Sequence, residues 1–165
     1  MEHVKLIIFD VDGTMTDGGM YYSSEGEVMK RFQVKDGMGI VLLKKAGFKI
    51  AIMTSEDSPI AASRAKKLGA DSVILGCHNK SDAVKLIAKE MEFEMKEIAF
   101  MGDDVNDYHA MNLVGFSACP SDAVDAIKKI SDYVCQSSAG HGAVREFAEV
   151  LLRTHEKTNI LNENW

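Results

Sequence analysis

Short β-branched or apolar runs recur along this chain with amphipathic segments between them, and few folds accommodate that rhythm. Strands are predicted at residues 5–9, 49–53, 72–74, 98–101 and 115–118, with a brief last one at 133–134. Apolar residues predominate in these runs, as they do in strands covered on both faces. Residues 38–45, 60–68, 81–91, 107–113, 123–130 and 143–152 instead space their apolar side chains at threes and fours, the pattern of helices with one buried face. Gly47 and Gly69 mark two helix ends. Alternating strands and helices predict an α/β fold with a doubly wound, Rossmann-like parallel sheet. Residues 18–34 break the alternation. The segment is too long for a strand-to-helix loop and reads as a projecting β-hairpin, with strands at 20–22 and 28–34 joined by 23–27.

At 165 residues and 46% hydrophobic, the chain suits one domain with a full-sized core over residues 1–153. Residues 154–165 form a polar tail with Ile160, Leu161 and Trp165 as its large apolar groups. Nineteen basic against 25 acidic residues give a net charge of −6, which argues against nucleic-acid or membrane-surface partners. The apolar runs are far shorter than a membrane span, and residues 1–5 show no signal-peptide pattern, so a cytoplasmic location is expected. Cys77, Cys119 and Cys135 lie in no metal-ligand spacing and read as reduced, mostly buried thiols.

Two carboxylates leave the first strand together. In Phe9-Asp10-Val11-Asp12-Gly13-Thr14, residues two apart in an extended chain point the same way, at the sheet edge where open α/β folds bind ligands. A calcium loop would place glycine sixth, whereas Gly13 is the fourth residue counted from Asp10. A surface turn of Asp and Gly is the remaining plain explanation. Against it, Thr54 and Ser55 end the second core strand, Lys80 opens the helix after the third, and Gly102-Asp103-Asp104-x-x-Asp107 follows the fourth. Hydroxyls, an ammonium and more carboxylates converge on one edge, although Lys80 by itself would read as a solvated helix-start lysine.

In order and spacing these four segments resemble the motifs of the haloacid dehalogenase superfamily of phosphohydrolases. The resemblance implies a phosphoric monoester hydrolase in which Asp10 attacks phosphorus to form an aspartyl-phosphate, while Asp12 protonates the leaving oxygen and later activates water. A phosphate monoester is a crowded anion, so such an attack needs a hard cation and fixed donors. Mg²⁺ is the cofactor implied, taken up by Asp10, the backbone carbonyl of Asp12 and Asp103. Thr54, Ser55 and Lys80 are then expected to bind phosphate, with Asp104 and Asp107 in support, the latter orienting Lys80 or a metal-bound water. Ser55 departs from the glycine usual at its position.

Most relatives carry a cap domain over the site, for which 165 residues leave no room. The chain is similar to the capless branch, and within it to the phosphatases of 3-deoxy-D-manno-octulosonate 8-phosphate and of nine-carbon, sialic-acid-type nonulosonate 9-phosphates. This similarity runs from residue 5 to about 152, and includes Thr16-Asp17-Gly18, Val34-Lys35-Asp36-Gly37-x-Gly39-Ile40 and Gly140-x-Gly142-Ala143-x-Arg145-Glu146. His141 replaces an arginine in a loop that the resemblance associates with closing a neighbour's site. For Arg145-Glu146 the plain alternative is a pair that solvates a helix start.

The implied substrate is the phosphate monoester of a 2-keto-3-deoxy sugar acid, with Glu56, Arg64 and Lys67 as candidates for selecting it. Glu56 stands where the octulosonate phosphatases usually carry arginine. A carboxylate there accepts from hydroxyl or amide groups, which favours the nine-carbon acid, and Lys67, about three turns on, would complete a polar clamp. A solvated Glu beside a helix N-terminus is the plain alternative. Met20, Tyr21, Tyr22, Val28, Met29 and Phe32 belong to a hairpin too thin to bury them. The resemblance implies a homotetramer with hairpins at its centre, the alternative being a hairpin folded back on its own domain. Two non-enzymatic readings remain. A phospho-receiver domain would carry its acceptor Asp on the third strand, and a purely tetramerising module would be expected to have lost a motif carboxylate, whereas Asp10, Asp12 and Asp103 are all present.

Overall fold

A computed structural model describes residues 1–162 of the chain, so Trp165 of the tail lies outside the described residues. Strands β1 (Leu6–Phe9), β4 (Lys49–Met53), β5 (Ser72–Ile74), β6 (Ile98–Met101), β7 (Phe116–Cys119) and β8 (Tyr133–Val134) form one sheet in the order β5-β4-β1-β6-β7-β8. All its pairings are parallel. Strands β2 (Tyr21–Ser23) and β3 (Gly26–Met29) pair antiparallel in a separate hairpin.

Alternate residues of each central strand enter opposite cores. From β1, Ile7 and Phe9 meet Leu42 and Leu43 of α1 (Val34–Lys45), Ala61 and Ala65 of α2 (Pro59–Leu68), and Phe147 and Leu151 of α6 (Ala143–Thr154). Leu6 and Ile8 meet Val84 and Ile87 of α3 (Lys80–Glu90), Met111 of α4 (Tyr108–Met111) and Ile127 of α5 (Asp125–Ile130). This is the doubly wound α/β class expected. Among the described residues there is no cap domain, since the connection from β1 to α1 holds only the hairpin. Strand order reverses at β1, and its carboxyl end is therefore the crevice.

Boundaries differ from the sequence reading where side chains intervene. The strand expected over 28–34 ends at Met29, because Lys30 turns inward and Phe32 bridges back to Thr16. Helix α1 starts at Val34 instead of residue 38, with the Gln33 side chain accepting from the Val34 N–H at 2.9 Å. Helix α4 is a single turn rather than 107–113. The three cysteines are free and buried. Within the tail, residues 158–162 form a 3-10 turn that returns Ile160 to the α1–α6 core. No helix among the described residues is long and apolar enough to cross a membrane.

Candidate active site

The end of β1 delivers Asp10 into a buried position, 4% exposed. The Asn79 side chain accepts from the Asp82 N–H at 3.2 Å and so starts α3 with Lys80 as its first residue. The buried Lys80 ammonium donates to Asp10 Oδ1 and to Asp107 Oδ1, each at 2.5 Å, and retains a third N–H. Two carboxylates are what make a buried lysine tolerable here. The second oxygen of Asp107 accepts from the Asp103 N–H at 3.0 Å and folds the 102–107 loop around itself. Thr14 Oγ1 donates to Asp103 Oδ1 at 3.1 Å. Both motif glycines are forced by this crowding: a Cβ at Gly13, whose φ is +84°, would strike the Asp103 carboxylate, and one at Gly102 would strike that of Asp107.

Oxygens of Asp10, Asp103 and Asp107 lie within 4.8 Å of one another. Burial, then the neighbouring Asp107, pushes the Asp10 carboxyl well above the usual carboxylate range against the pull of Lys80. The same two causes raise Asp103 to about 7, opposed by the bond from Thr14. Three converging hard oxygens whose mutual repulsion exceeds what one ammonium offsets could hold a small divalent cation. Asp107 belongs to that cluster as well as gripping Lys80. The Asp12 carboxyl does not join it: Oδ1 accepts from Lys30 Nζ at 2.6 Å, while Oδ2 is buried without a hydrogen-bond partner.

Directly after β4, the buried Thr54 hydroxyl accepts from the Glu56 N–H at 3.2 Å, which leaves its own proton to donate. Ser55 differs. Its hydroxyl donates to the Cys77 carbonyl at 3.1 Å and accepts from Asn106 at 3.2 Å, so that proton is committed elsewhere. Asp10, Asp12, Ser55, Glu56, Asp103 and Asp104 share a cleft of about 290 Å³, with Asp104 at its exposed rim. Lys67 and Arg64 are not brought to it. They border a separate groove with Phe32, Pro59, Ile60 and Ser63, and among the described residues no bond joins Lys67 to Glu56. Arg64 instead lies 5.4 Å over the Phe32 ring and donates to the Gln33 carbonyl at 3.5 Å, packing α2 onto the start of α1.

Residues of the outlying motifs tie loops down. Asp36 accepts from the N–H groups of Gly142 (3.3 Å) and Arg145 (2.9 Å), capping α6 from another helix. Glu146 accepts from the Tyr133 hydroxyl and from the Gln136 and Ser137 N–H groups at 2.8–2.9 Å, so it does more than solvate a helix start. Arg31 reaches from the hairpin's foot to Asp17 at 3.1 Å, the Gly140 carbonyl at 3.2 Å and the His141 ring at 3.4 Å. Sequence reasoning passed over Lys30 and gave Thr14 no role of its own. A lysine in a hairpin carries no periodic signal, and only the fold shows Lys30 buried against Asp12.

A haloacid dehalogenase-like hydrolase family profile matches residues 72–147. The 3-deoxy-D-manno-octulosonate 8-phosphate phosphatase of Haemophilus influenzae is 34% identical over 162 residues, covering 98% of this chain and 90% of that protein. The N-acylneuraminate cytidylyltransferase A of Danio rerio is 38% identical over 94% of this chain, which spans 36% of that longer protein. The crystal structure of 3-deoxy-D-manno-octulosonate 8-phosphate phosphatase from Moraxella catarrhalis, in complex with magnesium, phosphate and the sugar acid KDO, superposes with a TM-score of 0.93 at 35% identity, over 97% of this chain and 92% of that one. Full-length identity above 30% and a shared architecture place the sequence motifs in one lineage with these proteins. The chain belongs to the haloacid dehalogenase family and is a capless phosphomonoester hydrolase.

Proposed function

We propose that the chain hydrolyses the phosphate monoester of a 2-keto-3-deoxy sugar acid through an aspartyl-phosphate on Asp10. The observation that carries this reading is the division of labour between two neighbouring carboxylates: Asp10 is locked by Lys80 among converging acids, while Asp12 stands apart with one oxygen unengaged. Asp10 attacks phosphorus as the bond from phosphorus to the sugar oxygen breaks, and the proton of Asp12 passes to that oxygen to give the alcohol. Water then adds to phosphorus, its proton returns to Asp12, the bond between Asp10 and phosphorus breaks, and inorganic phosphate leaves. Lys80 and Thr54 bear on the phosphoryl oxygens, whose charge grows in the transition state. Asp10, Asp103 and Asp107, with the main-chain carbonyl of Asp12, are the residues that would hold Mg²⁺. Bound there, Mg²⁺ supplies charge neutralisation between nucleophile and phosphate.

Relatives act on an eight-carbon acid or handle a nine-carbon one. Glu56 on the cleft wall favours the longer substrate, as an acceptor for its hydroxyl or amide groups where arginine would seek a carboxylate. This reading rests on Glu56 alone, since Arg64 and Lys67 line a different groove. Phosphate release from both sugar-acid phosphates tests the proposal. Activity should vanish in EDTA and return with Mg²⁺, and Asp10→Asn should retain less than about a thousandth of it, a barrier change of roughly 4 kcal/mol. The wild type should prefer the nine-carbon substrate and Glu56→Arg should reverse that preference. Retention of a tenth of the turnover by Asp10→Asn would remove the nucleophile assignment, and an unchanged ratio in Glu56→Arg the substrate assignment.

A further inference from the structure

Lys30 follows β3 at the hairpin's foot, and its side chain is 0% exposed, a costly place for an ammonium. It sits between Asp12 Oδ1 at 2.6 Å and Glu27 Oε1 at 2.5 Å. The other oxygen of Glu27 accepts from Ser58 Oγ at 2.5 Å, and Ser58 Oγ accepts from the Ala61 N–H at 3.3 Å as the N-cap of α2. An unbroken series of charge-assisted bonds thus leads from Asp12 through the hairpin to the helix that follows Thr54 and Ser55. At the other end, Asp12 Oδ2 is the one buried carboxylate oxygen among the described residues without a hydrogen-bond partner, on a residue that lines the cleft. One oxygen is clamped and the other is left for chemistry.

We propose that Lys30 is a positioning residue for proton transfer by Asp12: it fixes Oδ1 so that Oδ2 carries the proton to the departing oxygen. The inference rests on the reading of Asp12 as proton donor and deepens it. As the bond from phosphorus to the leaving oxygen breaks, the proton moves from Asp12 Oδ2 to that oxygen and leaves Asp12 a carboxylate paired with Lys30. In the second step the attacking water returns a proton to Oδ2. A carboxyl freed from Lys30 can rotate about its own axis and samples poses in which neither oxygen meets the leaving group, a loss that general acid catalysis feels directly. Glu27 and Ser58 anchor the ammonium, so the hairpin's seating and the pose of Asp12 become one arrangement.

A merely structural tie would depress every substrate alike, whereas lost proton transfer penalises only poor leaving groups. The value of kcat/KM, which covers steps up to formation of the phospho-enzyme, is measured with Mg²⁺ on an alkyl sugar-acid phosphate and on p-nitrophenyl phosphate, whose phenolate departs without a proton. Lys30→Met should lower the alkyl value on the order of a hundredfold and the aryl value less than about threefold, and Lys30→Arg should restore part of the alkyl activity. Glu27→Gln, which keeps Lys30 on Asp12 but loosens it, should show the same selectivity on a smaller scale and serves if Lys30→Met does not fold. Equal losses on both substrates, or no loss, would overturn the proposal. Asp12→Asn tests the reading beneath it: a loss that ignores the leaving group there would overturn the role of Asp12 itself, and this inference with it.

Discussion

Asp103 shows how burial and crowding set the behaviour of a single side chain. Its carboxyl, raised to about 7, binds a proton in the folded chain at pH values where the unfolded chain has released it. Asp10 is raised as well. Between about pH 5 and 7 these two groups therefore hold more protons in the native state than in the unfolded one, and the stability they contribute to the metal-free protein falls as pH rises through that window. His155, whose burial lowers its pKa, acts in the opposite sense below its ordinary value, so the comparison must isolate Asp103. Thermal melts of the metal-free protein should show Tm declining from pH 5 to pH 8, with a shallower decline in Asp103→Asn. Saturating Mg²⁺ should raise Tm most at pH 8, because the cation binds the deprotonated cluster. Identical pH profiles for wild type and Asp103→Asn would mean that Asp103 carries an ordinary carboxylate.

At the scale of elements, Asp36 illustrates a cap supplied across the fold. Its carboxyl, on α1, accepts the first N–H groups of α6 more than 100 residues later. Asp36→Ala would strand those groups, at a cost of about 1–2 kcal/mol and a Tm lower by roughly 2–8 °C, with added mobility in residues 138–142. Asp36→Asn should recover part of the loss, and a melt unchanged by Asp36→Ala would show that the cap contributes nothing. How legible such elements were depended on how local their cause was. The sheet strands announced themselves because short, mainly apolar runs between amphipathic segments have few other uses, and Asp10, Thr54, Lys80 and Asp103 because the crevice must lie at the strand ends. The second hairpin strand was overrun because Lys30, Arg31 and Phe32 look extended in sequence, yet each is drawn off by a distant partner: Asp12, Gly140 and Thr16. Asp36 and Glu146 stood out by resemblance, but what they hold together is visible only once α6 packs on α1. The same holds for Lys67, whose spacing from Glu56 suggested a clamp that the course of α2 does not make.

For the whole molecule the question is what covers the hairpin. Met20, Tyr21, Tyr22, Val28 and Met29 are 41–59% exposed, whereas Phe32 packs on the chain's own core. A thin ribbon of exposed apolar groups beside an acidic cleft suits association between copies, and we expect a tetramer of the 18.1 kDa chain with hairpins at its centre. Light scattering at micromolar concentration should give four chain masses, and Tyr22→Glu with Val28→Glu should dissociate them. A single chain mass for the wild type would leave the hairpin a free flap. The sheet, by contrast, gives other molecules almost no purchase. It finishes at three residues in β5 on one side and at two in β8 on the other. Edges that short present too few unpaired N–H and C=O groups to template another strand. A growing fibril would find nowhere along this sheet to begin.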